Sequence, residues 1–471
     1  MMKKVLIGIY ALLLSGSLPL QAADSGTLSL DSCRALAIRE NKELRIASAN
    51  QRAAFYERKA ALTKYLPRVS AMGAYLYTSK EFSLLSDEQK ATLNGLGTRV
   101  GELSPLLTPM VEPLNGVGNS LVEALHTDTR NMGALGVMLT QPIYMGGKIA
   151  AYNRITRFAE QVAMRQHDLT LQEVIVEVDE AYWQIVSLQQ KKRLAESYLA
   201  LVRKLESDVD HLIQEGMATK ADGLSVKVKV NEAKVTLIQV DNGLSISRML
   251  LCQLCGLPLD TTVSLADEQG EQADPLPISV DPERAFALRP ELRALDLAHR
   301  IHQEKVRLAR AEFLPTVALT GGYLATNPSV FNSFERKMKG IWNVGVVVNI
   351  PLVTFGERIY KVRAAQAEAF ASQLRWEETH EKVELQVSQS RQKVTEASER
   401  LQTARESRAE ADENLRHANL GMQEGVIPVS QVLEAQTAWL KAHSEHTSAQ
   451  IDLRLANLYL LKATGSLAIT E

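Results

Sequence analysis

The chain has 471 residues, enough for two or three domains, and its formal charge of −2 excludes the strongly basic balance with which proteins hold nucleic acid. Aromatic residues make up 5%, too few for a chain that is mostly membrane barrel with aromatic girdles, so any barrel is a minority of it. Three cysteines are too few to build a disulfide scaffold.

Residues 1–23 read as a secretory signal peptide: Lys3 and Lys4 precede an apolar run at 5–14, and small residues lead to Ala22 and Ala23. Beyond it no stretch approaches the roughly 20 apolar residues of a membrane helix. The best, 249–259, is interrupted by Gln253 and ends in Gly256-Leu257-Pro258. A membrane could therefore be entered only as strands. Leu30-Asp31-Ser32-Cys33 faintly resembles a lipoprotein cleavage site, but it lies too far past the apolar run.

The rest divides into a first repeat (24–257), a connector (258–280) and a second repeat (281–471). Residues 31–65 read as helix, started by Asp31 and broken at Asn41; Leu66-Pro67 ends it. A strand at 68–78 places Val69, Ala71, Tyr75 and Tyr77 on one face. Residues 79–131, dense in Gly, Asn, Ser and Pro with short amphipathic patches at 86–93 and 120–125, read as a long external loop. The second strand, 132–143, alternates through Leu135, Val137 and Leu139; past Pro142 and Gly146-Gly147 the period changes to that of a helix. This strand-to-helix joint opens a helix running almost unbroken to 215, which at 1.5 Å per residue is about 100 Å long. Tyr198, Leu201, Leu205, Val209 and Leu212 give it an apolar stripe. Gly216-Met217-Ala218-Thr219 interrupts it, and a return helix completes a hairpin over 148–255. Cys252 and Cys255 fall among leucines on one face of that helix and read as small packed hydrophobes.

The pattern then restarts. Asp281-Pro282-Glu283-Arg284 echoes the first helix start, and Leu314-Pro315 echoes Leu66-Pro67. Strands follow at 316–325 and 341–352, Pro351 and Gly356 stand where Pro142 and Gly147 stood, and a second hairpin, 358–465, breaks at Gly425-Val426-Ile427-Pro428. Val387, Val394, Leu401, Leu415 and Met422 lie on one seven-residue spacing, with Arg408 the one break, and Ala397, Ala404, Ala411 and Ala418 follow three positions later: a left-handed seam with close approach. In the last strand Trp342, Val344, Val346, Val348 and Ile350 form an apolar face; Asn343, Gly345, Val347 and Asn349 form the other.

Four strands cannot close a barrel, and open edges in lipid leave backbone groups unpaired at several kcal/mol each. Three copies would supply twelve strands. The predicted fold is mainly α with a minor β part: a trimeric α-barrel of long antiparallel helices joined to a 12-stranded outer-membrane β-barrel, four strands per chain, with internal structural duplication.

The signal segment, the two Leu-Pro lead-ins, the two strand-Pro-x-x-x-Gly joints and the two Gly-containing tips, in this duplicated order, resemble the TolC-like outer membrane efflux proteins over essentially the whole mature chain. The resemblance implies a homotrimer in the outer membrane of a Gram-negative bacterium, extending into the periplasm. It also implies the exit duct of a tripartite efflux pump or type I secretion system. Gly216, Met217, Ala218, Thr219, Gly425, Val426, Ile427 and Pro428 match the tips that dock a periplasmic adaptor, with an inner-membrane transporter completing the pump. The family's pore constriction falls on Asp222, Gln431 and Glu434, one common carboxylate being replaced by the amide of Gln431.

No nucleophile elbow, zinc helix or phosphate loop is present, and His299 and His302, sharing a helix face, read as solvated. The expectation is a passive channel in contact with outer-membrane lipid, with no enzyme activity, cofactor or metal. A periplasmic adaptor or helical scaffold is the alternative, although neither requires two joints behind apolar-faced strands.

Overall fold

The computed structural model describes residues 27–79, 85–125, 130–268, 275–278, 285–329 and 336–467; the expected signal segment and the restart at 281–284 lie outside them. Two units arise, one from Met1–Arg52, Val162–Asp296 and Arg375–Glu471, the other from Ala53–Gln161 and Leu297–Leu374.

The second unit holds one antiparallel sheet of β1 (Arg68–Tyr77), β2 (Asn131–Met145), β3 (Thr316–Asn327) and β4 (Lys339–Asn349), in that order. Its two hairpins share one register. Arg68 faces Thr140 as Thr316 faces Asn349, and Tyr75 faces Gly133 as Tyr323 faces Trp342. Between the hairpins Val137 faces Tyr323, with a shift at Pro142/Tyr144. That irregularity accommodates a proline inside β2, which has no N–H for the ladder. Pro351 avoids the problem differently, lying two residues beyond the end of β4.

The region between β1 and β2 differs from a long loop. It contains α3 (Asp87–Asn94), α4 (Leu96–Leu103), a 3-10 turn (Pro105–Met110) and α5 (Val111–Ala124). Ser86 and Gln89 form a capping box at the start of α3. Glycine lets these helices touch: a Cβ on Gly97 would stand 2.0 Å from the Val111 carbonyl oxygen, and one on Gly118 1.8 Å from that of Leu93. Asn115 then accepts from the Gly97 N–H at 2.8 Å.

In the first unit α1 (Leu30–Glu40) stops at Asn41; α2 (Lys42–Leu62) follows and runs from the first unit into the second. Asp31 does not cap α1. Ser29 does, its hydroxyl accepting from Ser32 N, while Asp31 sits in the first turn, where the helix dipole favours a carboxylate. Cys33 is fully buried on α1, which counts against the faint lipoprotein reading.

The long helices are α6 (Lys148–Gln214) and α9 (Glu357–Gln423), 67 residues each, their return partners are α7 (Lys220–Leu254) and α10 (Val429–Ala463), 35 residues each, and α8 (Pro290–Arg310) precedes β3. The seven-residue seam of α9 is buried: Val394, Ala397, Leu401 and Ala404 pack on Ala449, Leu453, Ala456 and Leu460 of α10. The middle of α6 is buried more completely, because Val174, Val178, Tyr182 and Ile185 meet α1, the end of α7 and the connector at Val263 and Leu265. The connector is held by backbone: Leu28 N donates to Ser264 O and Ala266 N to Leu28 O, both at 2.9 Å. No helix of the described residues is long and apolar enough to cross a membrane.

Candidate functional site

Register decides which side chains share a sheet face. Opposed residues point the same way, so one face runs from Val69, Ala71 and Tyr75 through Leu135, Val137 and Leu139, then Leu319 and Tyr323, to Trp342, Val344, Val346 and Val348. The other face carries Ser70, Thr140, Thr320, Asn343 and Asn349, but also the larger apolar Met72, Leu76, Met138 and Leu324, so it is mixed rather than polar. All of β1 and all of β4 are exposed, and their outer edges have no strand partner among the described residues. Gln141 interrupts the apolar face, but its amide donates to the Tyr65 and Pro142 carbonyls at 2.9 and 2.8 Å, so its polar end is satisfied locally.

Each joint takes two successive residues into the left-handed region, Gly146 (φ 61°) with Gly147 (φ 84°) and Phe355 (φ 44°) with Gly356 (φ 92°). Phe355 is the feature that motif reading missed. Position by position it stands where Gly146 stands, and its ring is 98% exposed despite an unfavourable backbone. Gly146 has a second reason to lack a side chain: a Cβ there would lie 2.7 Å from Ala311 O and 2.9 Å from Leu314 Cβ. The first joint is thus packed against the Leu-Pro lead-in of the other half.

The tips close alike. Met217 N donates to Leu212 O at 2.8 Å and Val426 N to Gly421 O at 2.9 Å, across Gly216 (φ 77°) and Gly425 (φ 74°). Both tips pack on one cluster built from Val209 and Val226 of the first hairpin and Leu415 and Val432 of the second. Ala218 and Ile427 turn into it, whereas Met217 and Val426 stand 71% and 75% exposed. They differ in capping. Thr219 and Asp222 form a capping box, Asp222 Oδ2 accepting from Thr219 N at 2.9 Å and from Thr219 Oγ1 at 2.6 Å, and these bonds lower its carboxyl pKa. At the second tip Pro428 and Gln431 occupy the matching positions and no side chain caps α10.

Glu434 and Gln431 are exposed, one helical turn apart on α10. Glu434 lines a cleft of about 440 Å³ with Lys229 and Lys441, and Lys229 is already paired with Glu232 at 2.8 Å. His299 meets Gln303 rather than a metal set, and among the described residues no His, Cys, Asp or Glu group is placed to hold a metal.

The family model described as outer membrane efflux protein matches residues 34–257 and 282–466, two segments that coincide with the two strand-and-hairpin halves. The chain belongs to the outer membrane efflux protein family. Within that family it is 24% identical to protein CyaE of Bordetella pertussis over 357 residues, 71% of this chain and 70% of that protein. It is 21% identical to outer membrane protein TolC of Vibrio cholerae over 341 residues, 71% and 76% of the two chains. The fold matches the solved outer-membrane channel OprN with a TM-score of 0.74 at 18% identity, covering 93% of this chain and 89% of that one. It matches the open state of the Neisseria gonorrhoeae channel MtrE at 0.71 and 16%, covering 93% and 88%. As an outer membrane efflux protein, the chain works at the outer membrane and reaches into the periplasm.

Proposed function

We propose that the protein is a homotrimeric exit duct that carries solutes or secreted polypeptide across the outer membrane. In this reading three four-stranded sheets close a 12-stranded barrel, and the helical hairpins line a periplasmic tube whose tips dock an adaptor bound to an inner-membrane transporter. The observation that carries it is the apolar face that crosses all four strands, interrupted at Gln141, between two open edges. Lipid covers such a face, and only neighbouring copies satisfy such edges. The duct itself is passive, and cargo choice rests with the transporter. Internal duplication supports a particular closure. If β4 meets β1 of the next copy as β2 meets β3, then Val346 faces Tyr75, because Val137 faces Tyr323. Both side chains then lie on the lipid face. In a background lacking the native cysteines, Tyr75→Cys with Val346→Cys is expected to give covalent trimers on oxidation, and Tyr75→Cys with Asn343→Cys is expected not to. Monomers from the first pair would rule out this closure.

In this reading the pore-lining charge of the constriction is a ring of Glu434 carboxylates flanked by Gln431, and Asp222 serves mainly as a cap. Glu434→Ala is expected to raise conductance and weaken cation block in planar bilayers. Asp222→Asn should leave conductance nearly unchanged and lower hairpin stability by about 1 kcal/mol. Identical conductance changes in the two variants would reverse the assignment.

A further inference from the structure

All three cysteines lie in one buried cluster, although they come from α1 and the far end of α7. Cys33 is 0% and Cys255 1% exposed, and Cys255 Sγ lies 3.6 Å from the Cys33 carbonyl oxygen, across a sequence separation of 222 residues. That contact is a hydrogen bond from the Cys255 thiol to the backbone of α1 beside the Cys33 thiol. Cys252 is directed elsewhere, its Sγ 3.7 Å from Thr261 O.

We propose that the mature protein carries a Cys33–Cys255 disulfide, formed by thiol–disulfide exchange in the periplasm, with Cys252 left as a free thiol. This rests on the chain's passage through the periplasm to the outer membrane, an oxidising route. In the unfolded chain the thiolate of one of the two cysteines displaces one sulfur of a periplasmic protein disulfide to give a mixed disulfide, and the sulfur of the other, losing its proton, then attacks the bound cysteine Sγ and releases the second. Two thiols are oxidised to one S–S bond and the donor disulfide is reduced to two thiols. Burial of both sulfurs puts this exchange before the region finishes folding. The bridge would fasten α1 to the end of the first hairpin and close a very long loop, the case in which a cross-link restricts the unfolded chain most.

Full-length protein extracted from outer membranes, unfolded in denaturant and maleimide without reductant, is expected to take up one label, at Cys252. Reductant beforehand raises this to three. Cys252→Ser should show no label and Cys255→Ser two. Three labels on the unreduced wild-type protein would overturn the proposal, as would a bridge placed between Cys252 and Cys255 by fragmentation. Because the readout is taken on membrane-extracted wild-type protein, it stands even where a variant folds poorly. It is also independent of whether the protein acts as a duct. Reduction of the intact protein is further expected to lower its unfolding temperature by several degrees.

Discussion

Gly146→Val is expected to remove heat-resistant trimers from outer-membrane extracts, whereas Gly345→Val leaves them intact. Two costs coincide at Gly146. A β-branched residue at φ 61° pays about 1–2 kcal/mol for the left-handed backbone. Its Cβ then meets Ala311 O at 2.7 Å and Leu314 Cβ at 2.9 Å, contacts made by backbone and by the root of a side chain, which cannot swing aside. Overpacking of that kind adds about 1–3 kcal/mol. Gly345 has ordinary φ, and a Cβ there meets nothing within 4 Å. Gly147 separates the two costs, since its φ is 84° but the space beside it is open. Gly147→Val should therefore weaken trimers without abolishing them. Assembly and unfolding temperature measured for the three variants should rank Gly345, Gly147 and Gly146 in order of increasing damage; equal tolerance at all three would mean that the joint bears no constraint.

The joints, tips and strand faces were legible in the sequence because each is written in local chemistry: period two, then proline and glycine, then period 3.6. Thr219-x-x-Asp222 is likewise a capping signature readable without a structure, and its replacement by Pro428 and Gln431 marks the difference between the tips. Of the helices between β1 and β2 only fragments were legible, the amphipathic patches at 86–93 on α3 and 120–125 at the end of α5. Gly97 and Gly118 read as breakers, yet they are contact points where one helix rests on the carbonyls of another. Phe355 escaped notice because an aromatic gives no local signal of positive φ; only alignment of the two joints on each other exposes it. The convergence of Cys33 with Cys255 depends on tertiary packing that no local pattern encodes, and the same holds for the ion pair next to it.

That pair, Arg34 with Asp179, carries the largest expected effect in the first unit. Arg34 Nε and Nη2 donate to the two carboxylate oxygens at 2.7 and 2.5 Å, and the Asp179 side chain is 3% exposed on the buried middle of α6. Even so paired, burial raises the Asp179 carboxyl above its ordinary value of 3.8, so desolvation outweighs the attraction. Arg34→Ala leaves that carboxylate buried and alone and is expected to cost about 3–5 kcal/mol. Arg34→Met with Asp179→Leu removes both charges and should recover most of the loss. The sign with pH follows from the raised pKa. An acid whose folded pKa lies above its unfolded value binds protons more readily when folded, so its favourable contribution is present at low pH and is lost as pH rises through the folded pKa. The defect of Arg34→Ala should therefore shrink as pH falls towards 3.8. Chemical denaturation of the single and double variants across that range would check it. A double variant as unstable as Arg34→Ala would show that the fold requires the charges themselves rather than the absence of an unpaired one.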